Sequence, residues 1–311
     1  MAYVDKDFNS CALNGNASLV DTVFELYNKT GGSIKYGSNT ISNGARVTSK
    51  AITAISNNSC GVEFDNLPYG KYEVREASVG VGYNIDTTSK EVTLSGNTVN
   101  VSFTNTSIKG KITVAKKDKD TNSCTTVGNA SFSGVTFSLI NNSLNPVYYN
   151  GSFVARGSTI ATKSLNTSTC SVVFDNLPYG TYIVKEVGSG VGYEANVDSN
   201  SVTIPTNNSI ELTTSFTNEA ILGEVVVEKV DEHTGTCTPV GDATLAGTSF
   251  SITNKSTNPI YYDGQKIDVD SVITTKTVNS SDCKATFLDL PYGTYLVKET
   301  SASRGYNANT I

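Results

Sequence analysis

The sequence of 311 residues contains no tryptophan, one methionine, one histidine and seven prolines. A single histidine cannot supply a Ser-His-Asp set three times over, once per repeat, nor a multi-histidine metal site. His233 also falls in a turn-like Asp-Glu-His-Thr-Gly stretch, where a solvated side chain is expected. No apolar run approaches the roughly 18 residues of a membrane span, so no membrane insertion is expected of this segment. Met1 is followed at once by polar sequence, and no signal peptide is read there. Basic residues are in the minority, 23 Lys and Arg against 29 Asp and Glu, for a net charge of −6. Without a basic stripe a nucleic-acid partner is not expected. No 3.6-residue apolar period is visible either. Instead Thr, Ser, Asn, Val and Gly dominate, the composition of short strands joined by polar turns.

The chain repeats itself. Cys11, Cys124 and Cys237 are spaced by 113 residues each (124 − 11 and 237 − 124), and Cys60, Cys170 and Cys283 follow as second cysteines. A signature recurs with them: Phe64-Asp-Asn-Leu-Pro-Tyr-Gly70, Phe174-Asp-Asn-Leu-Pro-Tyr-Gly180 and Phe287-Leu-Asp-Leu-Pro-Tyr-Gly293. A period near 110 residues is the size of one sandwich domain, so each copy should own a core. Three repeats are expected, at 1–107, 108–220 and 221–311. Their joints are short and lack a flexible Gly/Ser tract, which suits a semi-rigid rod.

Within the second repeat the strands can be read off. They are Lys111–Lys116, Val135–Ile140, a hairpin Pro146–Gly151 with an Asn-Gly turn, Ser171–Phe174, Thr181–Glu186, Ser201–Ile204 and Glu211–Asn218. About seven strands with frequent turns predict an all-β fold of tandem immunoglobulin-like sandwiches.

Strand residues alternate between faces, so parity marks burial. Tyr182, Val184 and Glu186 share an inward face, as do Tyr72, Val74 and Glu76, and Tyr295, Val297 and Glu299; Lys185, Glu73, Arg75 and Lys298 point outward. Lys116 ends the apolar face of Ile112 and Val114, and Lys229 that of Val225 and Val227. Asn218 ends that of Leu212, Thr214 and Phe216, and Asn105 that of Val99, Val101 and Phe103. A polar residue at a strand end ordinarily escapes to water. Three kept in phase across copies suit a chemical reading better. A buried lysine loses its proton more readily and becomes a nucleophile, and a buried glutamate stays protonated and can shuttle protons. Attack on the asparagine carboxamide would join first and last strands by an amide.

These motifs carry a resemblance. Val-x-Lys opens the repeat. Leu-Pro-x-Gly-x-Tyr-x-Val-x-Glu stands in the middle, with Gly82-Tyr83, Gly192-Tyr193 and Gly305-Tyr306 downstream, and Phe-Thr-Asn closes it. The Asn-Pro-[Val/Ile]-Tyr-Tyr-[Asn/Asp]-Gly hairpin adds to them. Together they resemble the Cna protein B-type, or SpaA-type, prealbumin-like isopeptide-forming pilin domains of Gram-positive surface proteins, over essentially the whole chain. The resemblance implies Lys116 and Asn218 as the bonded pair and Glu186 as the catalyst. Lys117 is its out-of-phase neighbour. Glu76 with Asn105, and Lys229 with Glu299, are partial triads: Tyr3 stands where the first lysine belongs, with Lys6 out of phase, and the third repeat reaches Ile311 before any Phe-Thr-Asn.

Two cysteines per repeat at corresponding positions reduce fifteen pairings to one set, Cys11–Cys60, Cys124–Cys170 and Cys237–Cys283. Zinc is the alternative, disfavoured without a Cys-x-x-Cys pair. Disulfides imply an oxidising, extracellular setting, and they depart from the usual pattern of the family. Asp118-x-Asp120-x-Asn122 and Asp5-x-Asp7-x-Asn9 hint at calcium loops, but the third copy breaks the pattern and a polar turn is favoured. Gly188–Gly192 precedes no helix and is no phosphate cradle. Leu-Pro-Tyr-Gly-Thr is a Pro-Gly turn, not a sortase signal.

The resemblance implies a structural stalk or pilin-like shaft attached to a cell surface or cell wall. The competing reading is an adhesin module that itself grips a host or neighbouring-cell ligand. The only enzymatic chemistry expected is one self-directed cross-link. No cofactor and no metal are expected. The expected partners are neighbouring repeats, other surface-protein subunits, or a host ligand met through a tip outside this chain.

Overall fold

A computed structural model describes residues 2–55, 59–206 and 211–309. Met1 and Ile311, the outer limits of the first and third expected repeats, lie outside them. Among the described residues the regular structure is strand alone. Every sheet is built from strands of one repeat.

The middle unit shows the plan. Its opening strand Lys109–Asp118 lies between Ser171–Pro178, antiparallel, and the closing strand Glu211–Asn218, parallel. The facing sheet runs in the order Thr159–Ser164, Thr136–Asn141, Thr181–Gly188, Ser199–Thr203. Alternation sends Ile112, Val114, Phe137, Leu139, Phe174, Tyr182, Val184 and Phe216 into the space between the sheets, where all are buried. The rings of Phe137 and Phe216 meet there with centroids 5.2 Å apart, and Phe24 and Phe103 repeat the contact in unit one at the same distance. The hairpin pairs Val147–Tyr149 with Ser152–Val154 through Asn150 and Gly151, both left-handed at φ 47° and 83°. That double left-handed turn matches the right-handed twist of its strands, which is why Asn-Gly stands there.

The Leu-Pro-Tyr-Gly signature has a packing cause. The Tyr182 hydroxyl donates to the Pro178 carbonyl at 2.6 Å, and Tyr72 and Tyr295 do the same to Pro68 and Pro291 at 2.8 and 2.5 Å. Each phenol, buried at Tyr72 and Tyr182 and half-buried at Tyr295, is thereby satisfied by the turn four residues before it. Gly180 is required because a Cβ would come within 2.4 Å of the Ser143 hydroxyl.

Unit one pairs Ala2–Asp5 in parallel with Ser102–Ser107, and packs Val23–Asn28 between Arg46–Ala51 and Gly70–Ser78. Unit three pairs Leu222–Glu228 with Lys284–Pro291, and Ser249–Asn254 with Val272–Thr277 and Tyr295–Ser301.

The joints are hydrogen-bonded. Gly15 N–H donates to the Pro146 carbonyl (2.9 Å), Asn145 N–H to Gly15 (3.0 Å) and Asn16 N–H to Tyr179 (3.0 Å). The Asn16 side chain accepts from Leu144 N–H and donates to the Thr181 hydroxyl, at 2.8 and 3.0 Å. One repeat later the set recurs: Gly128 to Pro259 (3.0 Å), Asn258 to Gly128 (2.9 Å) and Asn129 to Tyr292 (3.0 Å). The Asn129 side chain spans Thr257 N–H and the Thr294 hydroxyl in the same way. The linker residues Ile108 and Ile221 each donate back to one unit, at Gly82 or Gly192, and accept from the next, at Tyr179 or Tyr292. Gly192 lies under the Tyr292 ring, 2.4 Å from where a Cβ would stand.

Candidate functional site

Parallel pairing sets the site. In the middle unit Lys116 lies opposite Phe216 and Asp118 opposite Asn218, so the Lys and Asn side chains enter the same end of the core from neighbouring strands. Glu186 comes from the facing sheet. Lys116, Glu186 and Asn218 are 1%, 4% and 2% exposed, so no solvent solvates either charge. Lys116 Nζ stands 3.6 Å from Glu186 Oε2, 3.5 Å from the carbonyl oxygens of Phe216 and Lys117, and 5.3 Å from the centre of the Phe132 ring. Asn218 Nδ2 donates to Glu186 Oε1 at 2.7 Å and to the Ser189 carbonyl at 3.3 Å. A protonated glutamate would donate to the carboxamide oxygen; here the carboxamide nitrogen donates to Glu186 instead. Half a turn of the carboxamide exchanges oxygen and nitrogen at those positions, and a protonated Glu186 would then be the donor. Glu186 Oε2 and Asn218 Oδ1 are buried without a hydrogen-bond partner. Burial pulls the Lys116 amine down from 10.5 to about 8, against the opposing pull of the Glu186 charge, and burial pushes the Glu186 carboxyl up. Both shifts favour a neutral amine beside a neutral acid.

The outer units hold parts of the same set. In unit one the Asn105 amide donates to both Glu76 oxygens at 2.8 and 3.1 Å, and the backbone of Tyr3 lies opposite Phe103, the register position of Lys116. Lys6 is exposed. In unit three Lys229 Nζ pairs with Glu299 Oε2 at 3.1 Å. Lys117 is half-buried on the opposite face, 3.5 Å from Asn122 Oδ1.

The cysteines pair as Cys11–Cys60, Cys124–Cys170 and Cys237–Cys283, with Cα atoms 5.6, 5.7 and 5.7 Å apart. Each ties the loop after an opening strand to the segment leading into the Leu-Pro-Tyr-Gly strand.

Three features differ from the sequence reading. Val99, expected on the inward face with Val101 and Phe103, lies before the closing strand Ser102–Ser107 and is exposed. Glu73, expected on an outer face, is only 5% exposed: Arg75 Nε at 2.6 Å and Lys29 Nζ at 2.9 Å close over it and hold its carboxyl down at about 2. Asp118, read as part of a polar turn or cation loop, is wholly buried. Its Oδ1 accepts from the backbone N–H of Asp120 and Thr121, both at 2.9 Å, and its Oδ2 from the Tyr193 hydroxyl at 2.7 Å. Asp231 and Tyr306 make the same pair in unit three. The Gly-Tyr motif thus supplies a phenol to a buried aspartate beside the triad. The signal was present in the parity of Ile112, Val114, Lys116 and Asp118. His233 is exposed in its turn, and among the described residues no three His, Cys, Asp or Glu side chains cluster as a cation site would need.

Comparison with known proteins bears on the fold. Nothing among curated proteins matches the chain significantly. Among solved structures the Bacillus anthracis TIE protein is similar at 23% identity and a TM-score of 0.57, over 99% of this chain and 45% of that one. This chain therefore spans less than half of that protein's length. A streptococcal ancillary pilin aligns at 19% identity over 94% of this chain and 87% of its own, with a TM-score of 0.29. The sequence model of the SpaA prealbumin-like fold domain matches residues 9–107, 110–220 and 223–311. The chain belongs to that family, carrying three of its prealbumin-like fold domains in tandem.

Proposed function

We propose that the chain is a segment of an extracellular, surface-attached stalk whose middle unit is closed by an amide bond between Lys116 Nζ and Asn218 Cγ. The observation that carries the reading is the buried contact of Lys116, Glu186 and Asn218 at the meeting of the first and last strands. The neutral amine attacks the carboxamide carbon, the new C–N bond forms as the old one breaks, and Glu186 passes the proton to the departing ammonia. Atoms balance without a further reagent. Lys116, Glu186 and Asn218 are the residues assigned; Glu76, Asn105, Lys229 and Glu299 belong to sets without a full triad in this sequence. Three disulfides fit an oxidising exterior, and two matching joints fit a load-bearing array.

A stalk must be long. A compact globule of this length would have a radius of gyration of roughly 19 Å. Small-angle scattering of the whole chain should give a value well above that, with a tailing distance distribution. A radius near the globular value would rule the stalk out.

The pH response of an unreacted chain is a second test. In Asn218→Ala the amine has nothing to attack and stays buried. Its ordinary value is 10.5 and its folded value about 8. Below 8 it is charged in both states and the burial penalty is complete. Between 8 and 10.5 the unfolded chain alone holds the proton, so stability rises with pH, by about 3 kcal/mol in all. Glu186, shifted the other way, makes stability fall as pH climbs from 4.5 through its raised value. Urea midpoints of Asn218→Ala, compared with Lys116→Met/Asn218→Ala, should show the alkaline gain; a flat difference would count against a depressed lysine.

A further inference from the structure

The joint is built twice from the same parts, and those parts form two different faces. The earlier unit offers a loop glycine with left-handed φ, the Asn that follows it, and the Gly of Gly-Tyr. The later unit offers the Asn-Pro of its hairpin and the Tyr and Thr of Leu-Pro-Tyr-Gly-Thr. Backbone and side-chain hydrogen bonds cross at both joints with nearly the same lengths.

The far end of unit three carries the first face again. Gly241 has φ 61°, against 64° and 57° at Gly15 and Gly128. A Cβ at Gly15 or Gly128 would stand 2.3 or 2.4 Å from the carbonyl oxygen of Tyr179 or Tyr292; at Gly241 it would meet nothing within 4 Å. Gly305 occupies the place of Gly82 and Gly192. Asp242 replaces Asn16 and Asn129. Its carboxylate can accept from a backbone N–H as their amide oxygens do, and a threonine hydroxyl that accepts from the Asn amide would donate to the carboxylate instead. Val240, at the position of the fully buried Val127, is 53% exposed.

The opposite face of unit one does not match. Where the later units have Asn145-Pro146 and Asn258-Pro259, it has Gly32-Ser33, and Lys71 stands in place of Thr181 and Thr294. Its turn tyrosine, Tyr69, is 70% exposed. Unit one of a second copy therefore lacks the hairpin amide that reaches Gly15 and the hydroxyl that meets Asn16.

We infer that the far face of unit three is a docking site for another unit of this same fold, one whose hairpin carries Asn-Pro and whose turn reads Leu-Pro-Tyr-Gly-Thr. The interface continues the two joints already present and does not depend on the cross-link. The test is an extended chain, in which a second copy of residues 199–311 follows Ile311. This gives unit three the closing strand and linker of unit two, then adds a fourth unit identical to the third. Spin labels on noncanonical residues, one pair across units two and three and one across three and four, read both joints in one molecule. The two distance distributions should be equally narrow. Replacing the added copies of Asn258 and Pro259 by Gly and Ser should broaden the second alone. The disulfide of the added unit, scored by thiol counting, confirms that it has folded. A broad second distribution in the parent extension would overturn the inference, and so would a narrow one that survives the replacement. Head-to-tail association of the unextended chain in sedimentation would also overturn it, since unit one would then fit the same face.

Discussion

Reduced and denatured, the chain should weigh one ammonia less than its sequence. The bond responsible lies between positions 116 and 218, a loop of 102 residues (218 − 116). By the entropy estimate used for disulfides, closing such a loop adds about 5 kcal/mol to the stability of unit two. The disulfide Cys124–Cys170 lies inside this loop, so the two contributions will not simply add. Lys116→Ala and Glu186→Ala should each restore the full sequence mass, by removing the nucleophile in one case and the proton carrier in the other. Lys116→Ala also removes a buried amine, and Glu186→Ala leaves that amine unpaired. The second variant should accordingly be the less stable, since an uncompensated buried charge costs several kcal/mol. Lys117→Ala should keep the deficit, because that side chain is on the wrong face. A full sequence mass in the parent, or a deficit that persists in both variants, would defeat the assignment. Asn218→Ala separates a failed reaction from a failed fold: it keeps both ionisable partners and should retain the sandwich, its disulfide and the full mass.

The reach of the sequence followed the reach of its periodicities. A strand alternates strictly, so a charged residue in phase with Ile112 and Val114 could be read as buried at Lys116, and Glu186 and Asn218 by the same rule. The 113-residue spacing of the first cysteines paired the others without further knowledge. What remained hidden depended on partners far along the chain. Asp118 looks like a turn residue because its neighbours are polar; the Tyr193 hydroxyl that holds it comes from 75 positions away. Asn16 and Asn145 look like ordinary loop residues, and their partners are in the adjoining unit. Glu73 has outward parity, and only the arms of Lys29 and Arg75 bury it. Alternation reports which face a residue takes, not what later covers that face.

Under tension, units one and two should part company. In both, the opening and closing strands lie side by side and parallel, so a pull from the ends shears one past the other. In unit one four register pairs, from Ala2–Ser102 to Asp5–Asn105, resist this with hydrogen bonds and packing. Once they slip, the chain between positions 4 and 105 is free, 101 residues (105 − 4), less the 49 locked behind Cys11–Cys60. The 52 left extend by roughly 180 Å at full stretch. In unit two the proposed bond would join the sheared strands themselves, and force would pass from Lys116 to Asn218 without entering the loop between them. Force spectroscopy on the parent should therefore show the unit-one step and no step of similar size from unit two. Lys116→Ala should add one of roughly 190 Å, from 102 residues less the 46 held by Cys124–Cys170. A reductant should lengthen the unit-one step by about 170 Å as its locked segment is released. It should leave the parent's unit two silent, since the disulfide there lies in the unloaded loop. Unit three has its own extension, common to parent and variant, so the difference between the two traces belongs to unit two alone. A parent trace already containing the 190 Å step would mean that force reaches the interior of that unit, and that the strands are held by hydrogen bonds only.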